Sequence, residues 1–483
     1  MKRGQIIEGR IVRVDYPNVG ILEADGREVK VKDALPGQTV RARVSKARRG
    51  GTEARLTEVV ERADNEVASD CCHFPGCGGC SWRTLPEEAQ LRLKEDEIRR
   101  LLAGALRGTA WEDGAWFEGI RPAPHVYGYR NKMEFSFGDE FRDGPLALGM
   151  HRRGSFYDIV TTDKCRIADG DFGAILRCTL DFAAGTGEKH FHKISHEGYF
   201  RHLLIRRGEF TGEILVDLVT TTQAQPEPEL AACAHGRPDG TSRPSPARPE
   251  PDLTAWVEAL RALPLQGTIT GILHTYNDSV ADALHFERTE VLFGRDYIYE
   301  ELLGLRFRIT PQSFFQTNSA GAEVLYRAVR EYAGGEGGRD IFDLYSGTGT
   351  IAQILAPVAR RVTGIEIVPE AVEDARANAE LNGLGNCHFL CGDVLAAIDE
   401  LRDEKPDLIV LDPPREGIHP KALPKILAYG VDRLIYISCK ATSLARDLGP
   451  ILQAGYRPER GCAVELFCGT SHVEVVVMLS KGQ

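Results

Sequence analysis

No apolar run in the 483 residues approaches the roughly 20 that a helix needs to span a bilayer. The basic start, MKRGQIIEGRIV, has neither an apolar h-region nor a small-residue cleavage site. A secretory leader and a membrane are therefore not expected, and the expected compartment is cytoplasmic. An excess of positive charge is also missing: the net charge is −11, a sum that argues against a polyanionic partner. The distribution argues the other way. Residues 1–62 carry 14 Lys and Arg against 9 Asp and Glu, a net of +5, so the remainder holds −16. A basic small unit on an acidic body suits an RNA-binding module joined to an enzyme. With 42% hydrophobic and 27% charged residues the composition is that of a globular protein, long enough for two or three cores.

Twelve cysteines are present, and in a reducing compartment they point to ligands or nucleophiles rather than disulfides. Cys71, Cys72, Cys77 and Cys80 fall within ten residues, and Cys165 stands apart. The pattern Cys71-x5-Cys77-Gly-Gly-Cys80 plus Cys165 supplies four thiolates for one centre. Tetrahedral zinc and an iron–sulfur cluster are both compatible with this spacing. Cys72 is an alternative to Cys71, and simply reduced thiols are a third reading.

Short alternating segments occupy residues 1–62 (QIIEGRIVRV, VGILEA, REVKVKD, QTVRARVSKA, ARLTEVVE), separated by Gly or Pro turn signals. Five such strands read as an OB-like β-barrel. Helical periodicity follows from Pro86 to Leu106, then strand-like runs from about 127 to 222. Seven prolines between Gln223 and Asp252 mark an insertion without assigned chemistry. From about 300 onward strands and helices alternate, the pattern of an α/β doubly wound, Rossmann-like sheet. The last stretch, AVELFCGTSHVEVVVMLS, reads as two strands with no helix between, as in methyltransferases rather than dehydrogenases. The expected division is 1–62, 63–300 and 301–483.

After the first strand of that alternation comes Asp343-Leu-Tyr345-Ser-Gly347-Thr-Gly349-Thr, whose glycines let backbone approach a ligand. Glu366 ends the second strand, where a carboxylate can bond a ribose, and Asp393 follows the third, near an adenine. These positions alone do not separate a nicotinamide from a sulfonium cofactor. Asp412-Pro-Pro-Arg415, at the end of the fourth strand, does: two prolines fix a rigid polar corner there, a methyltransferase feature. Cys439 ends the fifth strand before a helix, with Lys440 and Arg446 close in sequence, a setting that favours a thiolate near neutral pH. Uracil C5 attacks a methyl group only after a nucleophile adds to C6, and the C5 proton must then be removed. Glu474, on the terminal hairpin, is the candidate base, with His472 as rival two residues earlier.

These residues together resemble the RumA/TrmA-type RNA (uracil-C5-)methyltransferases, in the branch with an N-terminal TRAM domain and a 4Fe–4S cluster. The resemblance spans nearly the whole chain outside the 223–252 insertion. It implies a TRAM barrel at 1–62, a β-rich central domain with the iron–sulfur site at 63–300, and a catalytic domain at 301–483. It further implies cluster ligands Cys71, Cys77, Cys80 and Cys165, with Cys72 spare. S-adenosyl-L-methionine contacts would come from Gln316, in Pro311-Gln-Ser-Phe-Phe-Gln-Thr-Asn318, and from Tyr345, Glu366, Asp393 and Asp412. Cys439 falls on the nucleophile and Glu474 on the base, and Tyr129-Arg-Asn-Lys132 resembles a central-domain motif. One departure is visible: the family usually has proline two residues after the nucleophile, and Ala441 stands there. The implied substrate is a uridine flipped out of RNA, 23S rRNA first and tRNA second, with no obligate protein partner and a monomer expected. The rivals are an exocyclic-amino methyltransferase, which needs no Cys439, and a cytosine-C5 enzyme, whose Pro-Cys motif is missing from this chain.

Overall fold

The computed structural model describes residues 1–24, 26–48, 51–223, 250–335, 337–401 and 404–482. Most of the proline-rich 223–252 stretch lies outside the described residues. None of the described helices is long and apolar enough to cross a membrane.

Alternating burial closes the first strands into a barrel: β1 (Ile6–Asp15), β2 (Val19–Ala24), β3 (Arg27–Lys32), β4 (Thr39–Arg48) and β5 (Gly51–Glu61), in the order β1-β2-β3-β5-β4. Val29 and Val31 face inward along β3, and Val40, Ala42 and Val44 along β4, the period of two that puts apolar side chains on one face. Trp82, Leu85 and Leu93 pack onto this core from beyond the barrel. The Trp82 Nε1–H donates to Asn18 Oδ1 at 2.9 Å.

A seven-stranded sheet forms the centre, built from β7 (Lys132–Asp139), β8 (Leu146–His151), β9 (Ile159–Thr161), β10 (Phe200–Arg207), β11 (Glu213–Thr220), β12 (Thr268–Tyr276) and β13 (Arg288–Gly294). Helices α2 (Gly170–Thr186) and α3 (Thr254–Arg261) share its core. The residue pattern predicts only strands between 127 and 222, and α2 departs from that expectation. Its signals are conventional: Asp169 caps the start, accepting from the Asp171 N–H at 2.9 Å, and Gly187 ends it at φ 74°.

The third unit is an eight-stranded sheet in the order β18-β17-β16-β19-β20-β22-β21-β6. After a hairpin of β14 (Ile298–Leu302) and β15 (Leu305–Ile309) and helix α4 (Ser319–Ala333), its strands are β16 (Arg339–Leu344), β17 (Ala359–Glu366), β18 (Cys387–Cys391), β19 (Leu408–Leu411) and β20 (Arg433–Ser438), all parallel. Connecting helices are α5 (Thr350–Leu355), α6 (Pro369–Leu381), α7 (Val394–Glu400), α8 (Ala422–Ala428) and α9 (Ala441–Gln453). The antiparallel pair β21 (Tyr456–Val464) and β22 (Glu474–Lys481) then completes the far side. Residues 63–300, read from sequence as one unit, do not stay together: β6 (Phe117–Arg121) pairs in parallel with β21, and α1 (Glu87–Ala105) packs on α9 and β6.

One buried ion pair ties α1 to this sheet. Lys94 and Glu465 are both almost fully buried, with Nζ 2.6 Å from Oε2. Deleting one partner leaves the other charge uncompensated, so Lys94→Met is expected to cost about 3–5 kcal/mol in urea unfolding. Lys94→Met combined with Glu465→Gln is expected to cost less, because no charge then stays buried alone.

Candidate active site

Strand order reverses between β16 and β19, and the carboxyl ends of the strands open a crevice there. Tyr345 leaves β16 in a left-handed conformation (φ 69°), and the Tyr345 and Ser346 N–H groups both donate to the Ile365 carbonyl at 3.0 Å. Gly349 also has positive φ, and a Cβ on it would sit 2.7 Å from the Phe389 ring. At Gly347 (φ 53°) an added Cβ would meet no protein atom within 4 Å, so this part of the loop faces open space. Glu366 ends β17, and its carboxylate accepts from the Gly347 N–H at 3.0 Å and from the Ile367 and Val368 N–H groups at 2.8 and 2.9 Å. Asp393 caps α7, accepting from the Leu395 N–H at 2.7 Å. Burial, with the Asp393 charge facing it, pushes the Tyr345 hydroxyl up to about 12.

Gln316 reaches the same crevice from the segment before α4. Its carbonyl accepts from Asn131 Nδ2 at 2.9 Å, and its side chain meets the buried Tyr326 hydroxyl. The Tyr129-Arg-Asn-Lys132 motif thereby holds two parts of the site: Asn131 fixes the Gln316 segment, while Tyr129 Oη donates to the Cys468 carbonyl in the turn before Glu474 at 2.9 Å.

Pairing places Cys439 beside Glu474. Ser438 at the end of β20 is registered with Val475, so the residue after one and the residue before the other meet at the same rim. Asp412 follows β19 at that rim, and its charge reaches both Glu474 and Cys439. Burial first, then the Asp412 charge, pushes Glu474 up to about 8, opposed by Arg415. Burial lifts Asp412 to about 7. Burial followed by the charges of Glu474 and Asp412 lifts the Cys439 thiol to about 11, again opposed by Arg415.

Two expectations change here. Arg446 binds Asp447 at 2.7 Å, Lys440 is exposed, and the guanidinium that reaches the thiol is that of Arg415, a role the sequence did not reveal although the residue closes the Asp-Pro-Pro motif. Burial, and after it the charges of Glu474 and Asp412, also keeps Cys439 protonated near neutral pH, where the helix start and basic neighbours suggest a thiolate. His472 is exposed and lies outside β22, so it shares no strand face with Glu474. Lys94 holds its carbonyl at 2.8 Å.

Cys71, Cys77, Cys80 and Cys165 line a single cavity of about 100 Å3, whereas Cys72 is exposed and does not. The Gly79 N–H donates to Cys77 Sγ at 3.3 Å, and the Ala168 and Ile167 N–H groups face the Cys165 sulfur. Burial pushes the Cys80 thiol up to about 12, and neighbouring thiols add to the rise. Among the described residues no three His, Cys, Asp or Glu side chains are arranged to hold a single metal ion.

A family model described as tRNA (Uracil-5-)-methyltransferase matches residues 284–482. An uncharacterized RNA methyltransferase of Caldanaerobacter subterraneus subsp. tengcongensis is 44% identical over 481 residues, covering 100% of both chains. A second, from Halalkalibacterium halodurans, is 30% identical over 485 residues, covering 99% of this chain and 98% of the relative. The solved Pyrococcus abyssi tRNA (uracil-54, C5)-methyltransferase in complex with S-adenosyl-L-homocysteine shares the fold, with TM-score 0.71 and 24% identity over 98% of this chain and 100% of that one. A rim carrying Cys439 and Glu474 side by side, on a chain alike from end to end to such relatives, leaves one assignment: the protein belongs to the RumA/TrmA-type RNA (uracil-5-)-methyltransferase family.

Proposed function

We propose that the enzyme methylates C5 of a uridine in RNA through a covalent adduct on Cys439, with 23S rRNA as substrate. The observation that carries this reading is the meeting of Cys439 and Glu474 beside Asp412 at the rim of the crevice. S-adenosylmethionine, when bound, supplies an electrophilic methyl group, and Gln316, Tyr345, Glu366, Asp393 and Asp412 are the residues that would hold it. The open space at Gly347 and the carboxylate of Glu366 beside it fit such a ligand.

Cys439 gives up its thiol proton to solvent, its Sγ adds to uracil C6, and the electron pair of the C5–C6 double bond shifts to make C5 nucleophilic. Once C5 carries the methyl group, Glu474 takes the C5 proton, the C5–C6 double bond re-forms and the sulfur leaves. Arg415 stabilises the sulfur as its proton departs, since it is the cation that opposes the surrounding carboxylates. Incubation with S-adenosylmethionine and RNA containing 5-fluorouridine is expected to trap a denaturation-stable complex through Cys439, because fluorine at C5 blocks the final proton removal. Cys439→Ala should form none and transfer no methyl group. Full methylation by Cys439→Ala would overturn the mechanism.

Glu474 must be ionised to accept a proton, and its carboxyl sits near 8. Turnover is therefore expected to rise with pH through about 8 and to fall below it, followed by methyl incorporation at saturating substrate. Glu474→Gln is expected to lose about 10²–10⁴-fold in turnover while still accumulating the methylated adduct.

For the four-cysteine cavity we propose the 4Fe–4S cluster that the family resemblance implies: four thiols line one cavity and an N–H donates to sulfur, an arrangement compatible with a cluster and also with zinc, which metal analysis separates. The cluster's role here is structural, since the Ser81 and Trp82 N–H groups just beyond Cys80 donate to the Gly469 carbonyl at 2.9 Å, in the turn before Glu474. Anaerobically purified protein is expected to be brown with about four irons per chain, and Cys80→Ser to lose both. Stoichiometric zinc in place of iron would reject the cluster.

The rRNA reading rests on the resemblance to the branch with a TRAM domain and a cluster, while the descriptions of the matching family model and of the full-length solved neighbour name tRNA and make it the second reading. Presenting both fluorinated RNAs separates them by which one is trapped.

A further inference from the structure

Two aromatic rings stand in solvent on the loop that joins β8 to β9. Phe156 is 60% exposed and Tyr157 54%, and the rings meet edge to face, with centroids 5.5 Å apart at 89°. A single exposed apolar residue is ordinary, but two aromatics in contact on one loop mark a binding surface. Phe156 is held from one side. Lys193 Nζ lies 4.4 Å from its ring centre, and the His151 ring runs within 9° of parallel to it, with centroids 6.2 Å apart. Lys193 Nζ and His151 Nε2 are 3.3 Å from one another, so both share one face of Phe156, and its exposed area lies away from them. Lys193 also donates to the Phe156 carbonyl at 3.2 Å and pairs with Asp282 at 2.6 Å.

The loop is ordered by its own bonds. Gly154 makes the bend at φ 77°, and the Ser155 N–H donates to the Arg152 carbonyl at 3.0 Å. Ser155 Oγ accepts from the Tyr157 and Asp158 N–H groups at 3.3 and 3.1 Å. The cysteine loop braces it from below: the Arg153 N–H donates to the Gly76 carbonyl at 2.7 Å, the Gly78 N–H to the His151 carbonyl at 2.9 Å, and Arg152 bridges Cys77. A surface ordered in advance loses little entropy on binding.

Cations frame the rings. The Arg152 side chain is 40% exposed, with an Asp158 carboxylate oxygen 3.9 Å from its Nε. Exposed Arg55, from β5 of the barrel, reaches the bend, where a Cβ on Gly154 would sit 2.8 Å from its Nη2. Open aromatic faces beside guanidinium groups are the chemistry that takes an unpaired nucleotide, because every base has a π face and every linkage a phosphate. An apolar protein partner would have to strip water from the same cations.

We propose that Phe156 and Tyr157 form a stacking platform for an unpaired base of the RNA substrate, with Arg152 and Arg55 on the adjoining phosphates. The platform belongs to the central sheet, outside both the barrel strands and the crevice residues. The inference rests on the reading of this enzyme as one that methylates RNA.

The full-length protein and the two fluorinated RNAs are used, with RNA affinity measured by filter binding, adduct formation by gel, and melting and sedimentation alongside. Phe156→Ala is expected to weaken RNA binding about tenfold, and Phe156→Trp to stay within about twofold of wild type, since stacking needs a π face. Phe156→Leu, apolar but without that face, is expected to bind as weakly as Phe156→Ala. Arg152→Gln is expected to lower the slope of log affinity against log salt by about one. Wild-type affinity in Phe156→Ala or in Phe156→Leu would overturn the platform, while an adduct on the wild-type protein would leave the methylation reading standing. A wild-type dimer that Phe156→Ala splits, with RNA affinity unchanged, would assign the patch to a second copy and overturn the platform too. Neither binding nor adduct with wild type on either RNA would overturn the RNA reading itself, and the platform with it.

Discussion

A buried ammonium is tolerated only where acceptors surround it, and the place where Lys94 finds them decides how the parts of this protein meet. Its Nζ donates to the Glu465 carboxylate, to the Phe467 carbonyl at 3.3 Å and to the His472 carbonyl at 2.8 Å, and it lies 5.7 Å from the centre of the Trp82 ring. All three acceptors belong to the turn that leads into Glu474, while Trp82 belongs to the packing of the barrel. Losing any one acceptor would expose a charge to an apolar surrounding, so the turn has little freedom to drift. The same turn brings Gly469 against the cysteine loop. It has φ 80°, and a Cβ there would lie 2.9 Å from Arg83 Cδ and 3.8 Å from Cys80 Sγ. The thiol cavity and the proposed base are thus two sides of one packed turn.

Above that turn the chemistry is governed by too many acids in too little water. Burial raises Asp412, Glu474, Cys439 and Asp343 alike; the Asp412 charge adds to the rise of Glu474, Cys439 and Asp343, and the Glu474 charge to that of Cys439. This arrangement suits the proposed cycle. A thiol kept protonated until it attacks is a poor target for oxidants, and a carboxylate lifted toward 8 is a stronger base than a solvated one. Arg415 is placed to favour the anion at the moment it forms, from the rigid corner made by Pro413 and Pro414.

Local patterns in the sequence were enough to locate the strands of the barrel, the parallel sheet and the terminal hairpin, because alternation and the 3.6-residue period are written in consecutive residues. Glu366, Asp393, Asp412 and Cys439 follow strand ends, and in a parallel sheet strand ends share one rim, so their neighbourhood could be inferred without coordinates. What stayed hidden depends on pairs far apart in the chain. Helix α2 was masked by the strand-rich runs around it, although Asp169 and Gly187 bracket it. Strand β6 looks like any short apolar segment until it adds to β21, more than 300 residues later. The reach of Arg415 to Cys439 crosses from one strand end to another, and a neutral-pH thiolate was inferred from nearby Lys440 and Arg446 because sequence shows adjacency and not burial.

Contacts cross the boundary near residue 300 that the onset of strand–helix alternation suggests. The sheet carrying the rim takes its edge strand from Phe117–Arg121 and one cover helix from Glu87–Ala105. The Gln316 segment is held by Asn131 of the central region, and the turn before Glu474 by Tyr129 and Lys94. A Rossmann-like sheet with its glycine loop intact has the means to cradle a nucleoside by itself. Placing the Cys439 sulfur beside the Glu474 carboxylate is a stricter demand, since one follows the end of β20 and the other opens β22 after a long turn. The supports that meet it come from every upstream unit, so the residues preceding the sheet domain are part of the active site's construction, beyond any contact they make with RNA.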